Sequence, residues 1–131
     1  MVVEVVINLC YGGFGLSQVA LKNLVKMGVP LEGPRHDYAS DHLRVYWYLN
    51  HKKRKTYALV ADHDLKTRSD PRLVAVVKKL DKRAWGDFAN LAIVEVPRGV
   101  GLYLAEYDGI EWIETEHQVF PEDLQNEYVV L

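Results

Sequence analysis

Residues 2–8, Val2-Val3-Glu4-Val5-Val6-Ile7-Asn8, form a β-branched apolar run broken only by Glu4. Branched side chains suit a pleated surface, and a strand without polar alternation needs cover on both faces. Two helices are expected to supply that cover. The first follows the loop Leu9-Cys10-Tyr11-Gly12-Gly13-Phe14-Gly15: Ser17 is a natural cap, Leu21, Leu24 and Val25 recur at helical spacing, and Gly28 and Pro30 end the helix. The second opens at Asp70 and Pro71, buries Leu73, Val77, Leu80 and Ala84, and carries Lys78, Lys79, Lys82 and Arg83 toward its C-terminal end, where the helix dipole favours cations.

Three further strand segments are expected. Residues 91–96 are stopped by Pro97 and Gly99, and residues 102–107 and 110–116 flank Asp108-Gly109, a two-residue hairpin turn. Between the helices, residues 43–49 and 56–61 alternate like strands about the basic tip 50–55, an aromatic hairpin within an inserted segment 40–66. The expected fold class is α+β, with a mixed β-sheet, two main helices and a C-terminal β-hairpin. With 131 residues, 49% of them hydrophobic, the chain can bury a core in one domain without disulfides or structural metal. Residues 1–120 are assigned to that domain and 121–131 to an acidic tail that frays or docks through Tyr128, Val129 and Val130.

The apolar runs are only a few residues long, short of a bilayer span, and Met1-Val2-Val3-Glu4 offers no basic n-region. A cytosolic protein with no membrane contact is therefore expected, and the single cysteine, Cys10, accords with a reducing compartment. Charge is divided unevenly. Residues 1–86 hold 15 of the 16 Lys and Arg with 8 acids, and residues 87–131 hold 1 base with 10 acids. Such polarity suits a phosphate-binding face, a head-to-tail oligomer, or halves that neutralise each other within the fold.

A strand, a glycine-rich loop and a helix in succession can offer backbone N–H groups and a helix dipole to an anion. The candidate ligand residues are Cys10, Tyr11, Gly12, Gly13, Phe14, Gly15 and Ser17, with Arg68 and Arg72 near the second helix. The loop departs from known phosphate fingerprints: it lacks the Walker lysine, and no third glycine completes a dinucleotide motif. A tight structural turn accounts for the same glycines. Asp70, between the two arginines, is a ready ion-pair partner.

Cys10 precedes a helix, but Leu16 stands where a cysteine phosphatase needs arginine, so Cys10 reads as a small core residue. His36, Asp37, Asp41, His42, Asp62, His63 and Asp64 match no metal or hydrolase spacing, and neither a metal nor a catalytic set is assigned. The tip His51-Lys52-Lys53-Arg54-Lys55, beside Tyr46, Trp47, Tyr48 and Tyr57, could meet nucleic acid, though a solvated hairpin tip is the commoner meaning.

The strings Val6-Ile7-Asn8-Leu9-Cys10-Tyr11-Gly12-Gly13-Phe14-Gly15-Leu16-Ser17 and Glu106-Tyr107-Asp108-Gly109-Ile110-Glu111-Trp112-Ile113, with residues 70–77 and 93–97 between them, resemble a family of short uncharacterised proteins from large double-stranded DNA viruses and bacteriophages. The resemblance covers both ends and the second helix, not the 40–66 hairpin. It implies a viral setting in the host cytoplasm and no particular activity. The expected function is an accessory protein that binds, and sequesters, a small phosphorylated ligand such as a nucleotide through the glycine loop. It needs no cofactor and self-associates. The alternatives are a small enzyme using Cys10 or the His and Asp cluster, and a nucleic-acid or protein-interaction module using the basic hairpin.

Overall fold

The computed structural model describes residues 1–33, 43–60, 64–116 and 128–131. In chain order the elements are β1 (Val2–Asn8), α1 (Gln18–Lys26), β2 (Leu31–Glu32), β3 (Arg44–Leu49), β4 (Lys55–Val60), α2 (Leu65–Arg68), α3 (Pro71–Leu80) with a 3-10 turn over Asp81–Ala84, β5 (Leu91–Pro97), β6 (Gly101–Tyr107), β7 (Ile110–Thr115) and β8 (Val129–Val130). The fold is α+β, one compact domain.

The apolar run of β1 pairs antiparallel with β5 along its whole length, Val2 opposite Pro97 and Asn8 opposite Leu91. Strand side chains alternate faces, so this ribbon feeds two cores. Val6, Leu91 and Ile93 join Leu21 and Leu24 of α1, Leu73 and Val77 of α3, and Val45 of β3. Val5, Ile7 and Val96 turn the other way to meet Leu65, Leu102, Leu104 and Ile113. Cover on both faces is thus observed, but α1 and α3 supply only one side, and α2 adds Leu65 to the other. The apolar stripes of α1 and α3 are consumed in a single cluster, so the second face is closed by the C-terminal strands. Each fully buried Val or Leu contributes roughly 1.5–3 kcal/mol.

Both helix starts follow the expected chemistry. Ser17 Oγ accepts from Ala20 N at 3.1 Å, and Asp70 Oδ1 accepts from Arg72 N at 2.9 Å with Pro71 in the first turn. After α1, Gly28 adopts φ +98°. The stripe of α3 does not run on to Ala84 as regular helix: Asp81 takes φ +50° and the chain tightens into the 3-10 turn, which still buries Ala84.

The described residues form three sheets where one mixed sheet is expected. The mixed one is β2-β3-β4, in which β2 runs parallel to β3 and β3–β4 is the aromatic hairpin; β1–β5 and β7-β6-β8 are antiparallel. In the C-terminal hairpin Asp108 and Gly109 both have positive φ, +53° and +94°, as a turn matched to strand twist requires. The end of the acidic tail docks: Val129 and Val130 pair with Leu102 and Gly101. Among the described residues no helix is long and apolar enough to cross a membrane.

Gly99 and Gly109 share a positive φ but differ in surroundings. A methyl group at Gly99 meets nothing within 4 Å, whereas at Gly109 it collides with the backbone of Gly12 and Gly13. Gly99→Ala is therefore expected to cost about 1–2 kcal/mol for its backbone conformation alone, and Gly109→Ala clearly more. Urea unfolding of the two variants checks the order.

Candidate functional site

The outer edge of β1 sets the geometry around the glycine loop. Leu9 N donates to Asn90 O at 2.8 Å and Arg98 N to Met1 O at 3.1 Å, so the ladder bonds to β5 fall on odd-numbered residues of β1. Val6 and Asn8 consequently turn their backbone polar groups away from β5, into the buried interior. Two side chains meet them there. Arg68 Nη1 donates to Val6 O at 3.0 Å, and Asn8 N donates to Glu111 Oε1 at 2.8 Å. Arg68 and Glu111 are joined to each other by two bonds of 2.7 Å each, with side chains 0% and 2% exposed. The Phe14 ring closes over the guanidinium, its centroid 3.5 Å from the central carbon. The Asn8 side chain completes the network: Nδ2 donates to Cys10 O and Gly109 O, each at 2.7 Å, and Oδ1 accepts from Asn90 N at 2.9 Å.

The glycine loop is pressed against two other segments. Gly12 has φ +111°, donates from N to Asp108 O at 3.3 Å, and lies so near Phe88 that a Cβ would sit 2.8 Å from that residue's own. Gly15 O accepts from Gly86 N at 2.9 Å, Leu16 bridges to Trp85, and Ser17 N donates to Ala84 O at 2.9 Å. Gly12 thus serves close packing, and against Gly15 it is Gly86 that has no room for a Cβ, whereas Gly13, at φ +98°, has open space on its Cβ side.

The structure brings the expected residues Cys10, Tyr11, Gly12, Gly13, Phe14, Gly15 and Ser17 together in one loop and sets Arg68 beneath Phe14. Arg68 is turned inward onto Glu111, away from any incoming anion. Arg72 stays at the start of α3, forked onto Asp70 at 3.1 and 2.9 Å. The hydrogen bond from the Arg72 side chain holds the Asp70 carboxyl below its ordinary value, and the same bond raises Arg72. Cys10 is half-buried with its thiol outside any disulfide. Ser17 Oγ, besides capping α1, donates to Arg83 O at 2.6 Å. His36, Asp37, Asp41, His42, Asp62 and His63 lie outside the described residues. Asp64 caps α2 through Lys66 N at 2.8 Å, and among the described residues no three His, Cys, Asp or Glu side chains gather.

A cleft of about 270 Å³ opens between the second half of the loop and the free edge of β4, lined by Phe14, Leu16, Leu21, Tyr46, Tyr57 and Leu59. Gln18 bridges the cleft's two walls: its Nε2 donates to Tyr57 O at 2.9 Å and its Oε1 accepts from Tyr57 N at 2.8 Å. Lys22 Nζ lies 5.8 Å from the Tyr57 ring, and Lys55 Nζ lies 5.8 Å from Tyr57 and 5.0 Å from Trp47. Gln18 and Lys22 escape sequence reasoning because they read as the solvated side of α1. The one local signal is the helical period, which puts Gln18 and Lys22, four residues apart, on one face of α1 but says nothing of β4. No protein-family model, curated protein or solved structure matches the chain.

Removing one member of a buried ion pair strands the other charge. Glu111→Ala is expected to cost about 3–5 kcal/mol in urea unfolding, whereas Trp112→Ser beside it, partly exposed, should cost far less. At the start of α3, Asp70→Ala removes a cap and should cost about 0.5–2 kcal/mol, while Asp70→Asn keeps the cap oxygen and loses only the ion pair. Because the native carboxyl is held below its ordinary 3.8, the wild type's advantage over Asp70→Asn is present at neutral pH and disappears as pH falls below that value and through the lowered one. Unfolding curves for the two proteins from neutral pH into acid test the sign.

Proposed function

We propose that the protein binds a small phosphorylated ligand with a planar ring, a nucleotide in chemical class, in the cleft between residues 14–16 and β4. The carrying observation is the cleft together with cations near one of its lining rings: tyrosines and leucines line it, and Lys22 and Lys55 each lie over the Tyr57 ring. Pockets for small molecules combine apolar walls with placed polar groups, and this cleft, whose accessible lining is more polar than apolar, has at about 270 Å³ the room for a base more than for a large ligand. In this reading the ring stacks on the tyrosine side, and the phosphate meets Lys22 and Lys55 instead of Arg68 or Arg72, which are engaged with Glu111 and Asp70. The loop's part is to shape the cleft's far wall through Phe14, Gly15 and Leu16. The protein holds its ligand without turning it over. The viral resemblance gives that holding a purpose, the sequestration of a host nucleotide in the host cytoplasm.

Calorimetric titration with a panel of ribonucleoside mono- and triphosphates tests the reading. Lys22→Ala should weaken binding about tenfold, the equivalent of one lost charge-assisted contact of about 1.4 kcal/mol, and Gly13→Val, at a position that does not line the cleft, should leave it unchanged. Abolished binding in Gly13→Val with Lys22→Ala unaffected would transfer the phosphate to the backbone of the loop. Absence of binding across the whole panel overturns the proposal.

A further inference from the structure

Leu9, Tyr11, Phe88 and Tyr107 are 49%, 65%, 74% and 70% exposed, a high value for four large apolar side chains of one small domain. They come from three separate segments that converge at one end of the β1–β5 ribbon. The convergence is built: Leu9 N donates to Asn90 O, Gly12 packs on Phe88, and Gly12 N donates to Asp108 O next to Tyr107. Asp87, Glu106 and Asp108 stand in the same segments, all exposed, so the aromatic patch has an acidic border. Solvated monomer surface seldom gathers aromatics in this way, and Tyr and Phe are the side chains that interfaces favour.

The β3–β4 hairpin is the counterpart in shape and charge. Its tip carries Lys52, Lys53, Arg54 and Lys55, all exposed, behind an exposed apolar pair, Tyr48 and Leu49. The tip is held in one shape: Asn50 Oδ1 accepts from Lys52 N at 2.9 Å and from Arg54 N at 3.0 Å, and Asn50 N donates to Arg54 O at 3.0 Å. Little ordering cost would remain to be met on docking. We infer that the acidic-bordered aromatic patch docks the basic hairpin tip of a second copy of this chain, Leu49 packing among Tyr11, Phe88 and Tyr107 while Lys52, Lys53 and Arg54 face Asp87, Glu106 and Asp108. The two surfaces differ, so the contact is heterologous: every copy offers one tip and one patch, and assembly continues until a ring closes.

A heterologous contact has a distinctive test by complementation. A tip variant, Lys52→Glu with Lys53→Glu and Arg54→Glu, and a patch variant, Tyr11→Ser with Phe88→Ser, each destroy one of the two surfaces at exposed positions. In sedimentation at low salt the wild type is expected to grow beyond a monomer with concentration, each variant alone to remain monomeric, and their equal mixture to form a heterodimer through the one intact pair. Added salt should weaken all assembly, since the facing charges are exposed. Carbodiimide coupling of mixed isotope-labelled and unlabelled wild-type chains gives a readout free of substitutions: it should join Lys52 or Lys53 of one copy to Asp87, Glu106 or Asp108 of another. A wild type monomeric at every concentration, variants that assemble alone, a mixture that stays monomeric, or couplings confined to single chains each overturns the inference. None of these outcomes depends on the cleft or its ligand.

Discussion

A short β-ribbon buried on both faces has an edge problem, and the Arg68–Glu111 pair is this fold's solution. Val6 O and Asn8 N point off the ladder into the interior, where an unpaired backbone group costs about as much as a lost hydrogen bond. A neighbouring strand would normally receive them. Here one guanidinium and one carboxylate do so, each bonded at once to the strand and to the other, and both are removed from water. Isolated buried ion pairs often add nothing to stability, because desolvation offsets attraction. This one differs in having its remaining bonding capacity directed at backbone groups that would otherwise be stranded. It also ties α2 to β7 across β1, and Asn8 extends the tie to the loop and the hairpin turn.

That network explains why the glycine loop has the form it does. Its first half is fixed from beneath by Asn8 and from the side by the Asp108–Gly109 turn, and Phe88 leaves Gly12 no room for a side chain. Its second half is clamped on residues 84–86 and faces the aromatic hairpin. The two halves therefore have separable roles: one closes the end of the ribbon and carries Tyr11 outward, the other forms a wall of the cleft.

The legible parts of the sequence are those decided within a few residues. The strand at 2–8, the caps at Ser17 and Asp70 and the Asp108–Gly109 turn each follow from local steric or hydrogen-bonding rules, and each is found where those rules put it. The division into three sheets was not legible, because period-2 alternation marks a strand without naming its partner. Arg68 shows the same limit at the site. An arginine near a helix start reads as an anion ligand, and only the fold brings Glu111, 43 positions away, within 2.7 Å of it. Gln18 is a third case. Its bond to the Tyr57 backbone spans 39 positions and resembles nothing in the local pattern.

Among the described residues the sheet β2-β3-β4 shares no ladder with the other two sheets. Its described attachments include the Gln18 amide on Tyr57, Lys22 over the Tyr57 ring, and the side chains of Val45, Tyr57 and Leu59 set against the helices. A region joined in this way can open as a cooperative unit of its own, at a free energy below that of global unfolding. Its backbone amides should then exchange with solvent through an event that leaves β1, β5 and their ion pair closed. One wall of the cleft and the hairpin tip both belong to that unit, so a single opening would expose the two together.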